Sequence, residues 1–399
     1  MPQSYDYIIV GAGLAGASAI EGIREVDPNG SILLMGDEAH LPYNRPPLSK
    51  DLWLGKEQVD GIFAHDEQFY TDNRVDFRLG ARAEEIDPGV SLVIDEEKET
   101  FNFGKLLLAT GGSPRTLDIP GGDFEAICYY RTLDDYNQVK AMTGSGKSAT
   151  VIGGGFIGSE IAAALNQNGV DVTMIFPGQG LCRRVFPESL SLAVAAMFAE
   201  KGIRIVTDTP AAFERDGDKY ATVTKGGARV EADIVIVGVG ILPDVELAAE
   251  AGLRVDNGIV VNERLQTSHP GIYAAGDNAN FPFAALGKQT RVEHWDNARK
   301  QGKLAGKNMA GGEEAYTYIP YFFSDLFDLG YEAVGDVDSS LETFPVWQDE
   351  NRTGIVYYLR DRKVRGAMMC NVWKKLKAAR ELIQSDAIMS DDDLRAALA

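Results

Sequence analysis

Residues 4–16 read SYDYIIVGAGLAG, and residues 148–160 read SATVIGGGFIGSE. Each is a short apolar run that stops at a G-x-G-x-x-G turn and continues into a segment with helical spacing: ASAIEGIREV after the first, SEIAAALNQNG after the second. Apolar runs of this length suit parallel strands covered on both faces, and the glycines suit a tight turn into a helix. Another apolar run follows each helix, SILLMG in the first case and VDVTMIF in the second. The same strand–turn–helix–strand unit thus occurs twice, which predicts two dinucleotide-binding α/β domains.

Three further apolar runs end at glycine: KLLLATGG, ADIVIVGVG and GIYAAGD. Each delivers the chain to the carboxyl edge of a parallel sheet, where ligands bind. The last is best explained as the chain returning to complete the first sheet, with the second unit inserted in the first. The expected domains are therefore 1–120 with 247–318, then 121–246. From about Ile319 the pattern changes, because TGIVYYLRDRKVRGAMMCNVW alternates β-branched and aromatic residues with charges, as antiparallel strands do. KLKAARELIQ and SDDDLRAAL read as helices, the second with Ser390 as its N-cap. Residues 319–399 form a third, α+β domain in this reading.

Composition narrows the function classes. A chain of 399 residues with 45% hydrophobic and 25% charged residues is that of a multidomain globular protein. No apolar run is long enough to span a bilayer, and MPQS runs straight into the first strand, so a cytoplasmic location is the expectation. A net charge of −20 opposes non-specific contact with nucleic acid or anionic lipid. Cys128, Cys182 and Cys370 have no C-x-x-C spacing, and the four histidines have no ligand spacing, which argues against a redox disulfide and a bound metal.

Gly11, Gly13 and Gly16 form the first turn, which would bring a pyrophosphate onto the helix end, with Leu14 and Ala15 beside it. Asp37, next to Glu38, ends the following strand, where a carboxylate accepts from a ribose 2′-OH. Such an acid suits FAD or NAD and repels a 2′-phosphate. Gly153, Gly155 and Gly158 form the second turn, but the matching acid is absent: VDVTMIF runs into Pro177 and Gly178. Arg183 and Arg184 follow, and Arg183 is either a phosphate partner or an ordinary loop cation, so NADH against NADPH stays open here. Two dinucleotide sites in one chain imply a handover, most naturally from NAD(P)H to a flavin. Gly276–Asp277 supports FAD at the first site, since an aspartate there can bond the ribitol chain.

RPPLSK (residues 45–50), LLATGG, GGGFIGSE and YAAGDNA together resemble the FAD-dependent pyridine-nucleotide reductases of the ferredoxin- and rubredoxin-reductase type. TRVEHWDNARKQGKLAGKNMAG, SDLFDLGYEAVGDVDSSL and VYYLRDRKVRG narrow the likeness to apoptosis-inducing factor-like flavoproteins. The resemblance spans essentially the whole chain and implies a glutathione-reductase-like architecture. It implies that Lys50 lies near flavin N5 with Glu160 as its partner, and that Arg45 and Arg131 bind FAD. Ala109, Thr110, Gly111, Trp295 and the Gly276–Asp277 pair join the FAD side. Phe156 would be an aromatic gate over the flavin, followed by Ile157. Gly238 and Gly240 would line the nicotinamide side, and Glu293 and His294 would flank its pocket, a core role for His294 being the alternative. The family often has tryptophan before Ser-Asp in the third domain, where this chain has Phe323.

The expected function is an FAD-dependent NAD(P)H oxidoreductase that passes electrons to a ferredoxin-type iron–sulfur protein, a quinone or oxygen. The alternative is an apoptosis-inducing factor-like redox switch, with slow NADH oxidation and a long-lived reduced flavin–NAD+ complex that alters an interface, a homodimer contact included. The cationic stretches LRDRKVR and WKKLKAAR would have to serve any docking of an acidic carrier, although solvated faces are the first reading of such runs. LPYNRPPLSK (residues 41–50) is expected to be a stiff, extended clamp, its prolines aiming Arg45 and Lys50 at the flavin.

Overall fold

The computed structural model describes residues 2–398. The chain divides into two compact units: residues 1–44, 59–113 and 243–320 form unit 1, and residues 45–58, 114–242 and 321–399 form unit 2.

Unit 1 is built on β1 (Gln3–Val10), α1 (Leu14–Val26) and β2 (Ile32–Gly36). β1 lies between β2 and the strand Thr100–Leu108, parallel to both, and Val75–Leu79 extends the sheet beyond β2. Ile272–Ala274 pairs in parallel with Leu106–Leu108, so the chain does return to this sheet after a long excursion. β2 is buried along its whole length, which is why ILLMG carries no polar alternation. The helix Trp295–Met309 packs directly on α1. A Cβ on Gly302 would sit 2.1 Å from the Ala15 carbonyl oxygen, and one on Gly306 2.1 Å from that of Ala19. Only glycine permits backbones this close, and the contact fixes α1 against this helix.

Unit 2 contains β3 (Ser148–Ile152), α2 (Phe156–Gln167) and β4 (Asp171–Phe176). These belong to a five-stranded parallel sheet in the order Arg204–Thr207, β4, β3, Ile234–Val237, Ile127–Tyr129. Its core packs Ile127, Ile152, Ile175, Val235 and Val237 together. The C-terminal part is a five-stranded antiparallel sheet of Tyr321–Leu326, Leu329–Gly335, Lys363–Cys370, Thr353–Arg360 and Glu342–Asp349. Thr353–Arg360 is buried on both faces rather than alternating, and the helix Leu376–Ser385 packs on Leu329–Gly335 and Lys363–Cys370. Ser390 caps the last helix, Asp391–Ala397, in a capping box with Asp393.

One sequence expectation is corrected. Pro46–Ser49 is a single 3-10 turn rather than an extended clamp, with proline at its first two positions. Proline is excluded from helix interiors but favoured at a first turn, where its missing N–H has no partner to lose. The stretch 45–58 that contains this turn groups with unit 2, although residues 44 and 59 on either side of it belong to unit 1.

Candidate active site

The two glycine turns have the same construction. A Cβ on Gly11 would lie 2.1 Å from the Ala109 carbonyl oxygen, and one on Gly16 2.2 Å from the Gly11 carbonyl oxygen. In the second turn, a Cβ on Gly153 would lie 2.4 Å from the Gly238 carbonyl oxygen, and one on Gly158 2.2 Å from that of Gly153. The first and third glycines are thus required by the protein's own packing. Gly13 and Gly155 differ: a Cβ there would meet nothing within 4 Å. Each of these middle glycines is the N-cap of its helix and offers no side-chain cap, so the helix N–H groups face an open space. That is the form of a site for a pyrophosphate, which needs backbone donors and close approach.

In unit 1 the remaining FAD-side residues gather around this turn. Leu14 opens α1, and Ala109 donates its N–H to the Val10 carbonyl at 2.7 Å. Gly111 and Gly276 both have positive φ, 71° and 92°, so the two strand ends turn sharply away beside the cradle. Asp37 stands exposed just past β2, and Glu38 accepts the Tyr43 hydroxyl at 2.5 Å. Sequence reasoning missed two side chains that hold the strand ends. Asn278 Nδ2 donates to the Leu108 carbonyl at 3.2 Å and to Thr110 Oγ1 at 2.8 Å, and Gln301 Oε1 accepts the Gly276 N–H at 2.9 Å. Their signal was weak: Asn278 sits in the turn sequence GDNAN and Gln301 in a helix rich in other polar residues. Trp295 Nε1 donates to Asn44 Oδ1 at 2.7 Å, which tethers the start of the Trp295–Met309 helix to the LPYN segment. Cradle, strand-end aspartate and converging termini fit an FAD pyrophosphate and ribose.

Burial pushes the His294 imidazole down to about 4, opposed by the nearby Asp277 charge. The ring is therefore neutral near pH 7, which favours a packing role over acid catalysis. A base that accepts its proton only near pH 4 when folded, but near 6.5 when unfolded, lends stability that is complete above 6.5 and declines as pH falls to 4. Denaturant unfolding is expected to show a loss on the order of 3 kcal/mol over that window, and His294→Gln is expected to lack it. The same acid-side loss in both proteins would refute this. Glu293 is exposed and pairs with Arg291 at 2.6 Å, so a nicotinamide contact by Glu293 would have to compete with that cation.

Unit 2 contains a concentrated, nearly buried polar group. Lys50 Nζ lies 2.9 Å from Glu160 Oε1, with the two side chains only 10% and 7% exposed. Ser49 Oγ donates to Glu160 Oε2 at 2.6 Å, and Ser324 Oγ to Oε1 at 2.5 Å. Three donors thus hold one carboxylate, which compensates its desolvation. Lys50 also donates to the Phe323 carbonyl at 3.2 Å and stands 4.7 Å from the centre of that ring. The 3-10 turn explains the convergence, because it sends the consecutive side chains of Ser49 and Lys50 to the same carboxylate. Ser49 lay inside a motif whose lysine took the attention, and Ser324 comes from a different domain of the sequence. Phe156, at the start of α2, meets Phe322 edge-on with centroids 5.2 Å apart. Arg45 donates to the Arg131 carbonyl at 2.7 Å, so the structure brings these two arginines together within unit 2.

Gly238 and Gly240 belong to the loop after Ile234–Val237; a Cβ on Gly238 would press within 3.0 Å of the Gly158 nitrogen. Ile157 is exposed on α2. The three cysteines are free and buried, and burial pushes each thiol up to about 12, so none is a ready thiolate. Much of the LRDRKVR cluster is neutralised locally: Arg362 pairs with Glu342 and Asp391, and Lys363 and Arg365 both pair with Asp386. Among the described residues, no helix is long and apolar enough to cross a membrane.

Residues 5–302 match the family model described as pyridine nucleotide-disulphide oxidoreductase, and residues 305–353 match the model for the C-terminal region of mitochondrion-associated apoptosis-inducing factor. The chain is 34% identical to the ferredoxin–NAD(+) reductase component of an anthranilate 1,2-dioxygenase system from Burkholderia cepacia, covering 97% of this chain and 96% of that one. It is 33% identical to apoptosis-inducing factor 1 of Dictyostelium discoideum, covering 98% and 80%. Among solved structures, a covalent putidaredoxin reductase–putidaredoxin complex superposes with a TM-score of 0.91 at 29% identity over 99% of both chains.

Proposed function

The chain belongs to the pyridine nucleotide-disulphide oxidoreductase family as an FAD-dependent NAD(P)H oxidoreductase, and on that premise we propose how its residues divide the work and where the electrons go. Its acceptor is a small ferredoxin-type iron–sulfur protein in the cytoplasm. The observation that carries the reading is the pair of matching glycine cradles, each with an open middle glycine, in a chain whose thiols are buried and separate. Bound FAD supplies a hydride acceptor that can return electrons singly. The protein's own residues bind, orient and stabilise charge. Gly11, Gly13 and Gly16 admit the FAD pyrophosphate to the α1 N–H groups, and Asp37 and Asp277 accept from its hydroxyls. Gly153, Gly155 and Gly158 do the same for the nicotinamide nucleotide on α2. Lys50 holds positive charge for the reduced flavin, and Glu160, Ser49 and Ser324 keep that ammonium in one place. Phe156 gates the nicotinamide. No side-chain acid or base is needed for the hydride step, which leaves positioning as the main contribution. This division implies domains 1–120 with 247–318, 121–246 and 319–399.

The test is anaerobic addition of reduced nicotinamide nucleotide to the purified, yellow protein, followed by an acceptor. Bleaching and then rapid recovery with an iron–sulfur carrier is expected; a colourless protein, or one that neither nucleotide bleaches, would end the reading. The match of residues 305–353 to the apoptosis-inducing factor region supports a second reading, a redox-responsive interface. Bleaching that persists for minutes in air, with a changed sedimentation coefficient, would favour it.

A further inference from the structure

β4 hands the chain to Pro177 and Gly178, the place in a dinucleotide-binding unit where a carboxylate grips the adenosine ribose and rejects a 2′-phosphate. Gly178 provides no side chain, and its φ of +90° would strain any residue put in its place. The vacated space is filled by a cation. A Cβ on Gly178 would lie 2.2 Å from Arg183 Nη1 and 3.2 Å from its Cζ, so the guanidinium occupies the position from which an acid would project.

The loop that brings Arg183 back is anchored to the glycine turn itself. The Cys182 N–H donates to the Gly154 carbonyl at 2.7 Å, and the neighbouring Leu181 is fully buried. Ser339 then donates from its hydroxyl to the Arg183 carbonyl at 2.5 Å and from its N–H to the Arg184 carbonyl at 3.0 Å. The backbone is thus held on both sides while the Arg183 side chain stays exposed, and among the described residues no carboxylate pairs with its guanidinium. Asp208 lies close along the sheet, since its N–H donates to the Phe176 carbonyl. Its carboxylate, however, accepts from the N–H groups of Thr209 at 2.7 Å and Gly226 at 2.9 Å. An unpaired, pre-placed guanidinium fork matches a phosphate and gains nothing from a bare ribose hydroxyl.

We propose that this chain selects NADPH over NADH, and that Arg183 is the residue that selects it by binding the 2′-phosphate. The proposal rests on the reading of the second glycine turn as the nicotinamide-nucleotide site, and the experiment separates the two. Calorimetric titration of the oxidised holoprotein with 2′,5′-ADP and with 5′-AMP needs no electron transfer. The bisphosphate is expected to bind about 10- to 100-fold more tightly, the range of a charge-assisted hydrogen bond, and Arg183→Ala is expected to abolish that margin. In anaerobic flavin reduction, Arg183→Ala is expected to lower kcat/KM for NADPH by a similar factor of about 10 to 100, to change NADH by about twofold at most, and Arg183→Lys is expected to restore part of the NADPH loss. Equal affinity for the two adenosine phosphates, or equal losses with both coenzymes, would overturn the selection by Arg183. Failure of both coenzymes to bleach the flavin would overturn the oxidoreductase reading instead, and the adenosine phosphate titration would still decide the phosphate preference.

Discussion

Glu160→Ala is expected to slow anaerobic flavin reduction by about 10²- to 10³-fold, in line with loss of a preorganised charge contact. The reason lies in what the carboxylate holds. Without it, Lys50 retains the Phe323 carbonyl and ring but no counter-charge, and the Ser49 and Ser324 hydroxyls lose the carboxylate they share. The ammonium is then free to leave the place that its proposed role beside the flavin requires. Lys50→Ala removes the cation directly and leaves a nearly buried carboxylate with hydroxyl partners alone, so it should also cost about 3–5 kcal/mol of stability. Stopped-flow reduction and chemical denaturation of both variants, with the double variant, measure the coupling. Combined losses much smaller than the sum of the single ones are expected, as for residues that act as one unit. Unchanged reduction rates with unchanged FAD affinity would remove the pair from the chemistry.

Gly13→Ala is expected to lose FAD affinity by about 100-fold or more while the apoprotein keeps its fold, because an added methyl costs several kcal/mol only where something must approach it closely. Nothing in the protein does so at Gly13, and its backbone is in an extended conformation open to any residue. Gly11→Ala is the contrast. Its methyl would collide with the Ala109 carbonyl in a backbone at φ +118°, so apoprotein stability itself should fall. Gly155→Ala should repeat the Gly13 result for the nucleotide, raising KM with FAD still bound. Thermal melting of apoprotein, flavin fluorescence release and nucleotide titration distinguish the three. Equal FAD retention in Gly13→Ala and the parent would show that no pyrophosphate comes near that turn.

Periodicity and turn chemistry carry much of the fold because they are local. An apolar run ended by glycines needs no distant partner to be read, so both cradles and the strand 272–274 were visible in the sequence. The same locality explains the capped last helix. It also explains the error at residues 46–49, where two prolines exclude a helix interior but are equally at home in a first turn. What periodicity cannot report is which side chains share a carboxylate. Ser324 reaches Glu160 across 164 positions, Gln301 reaches Gly276 across 25, and Asn278 reaches Thr110 across 168. None of these belongs to a spacing rule.

Arg183 shows the boundary between the two kinds of information. By itself, the sequence determined that the second unit lacks the strand-end acid and that two arginines follow. It left those arginines as solvated loop cations or phosphate partners, with equal reason for either. The tertiary structure decided their placement, because the Cys182–Gly154 hydrogen bond folds the loop back onto the turn and brings one guanidinium over Gly178. The first and third glycines of each turn are different: there the steric demand comes from chain neighbours and paired strands, and glycine is the residue that satisfies it. Charge selectivity depends on where a long, flexible side chain comes to rest, and that is set by contacts the linear order does not contain.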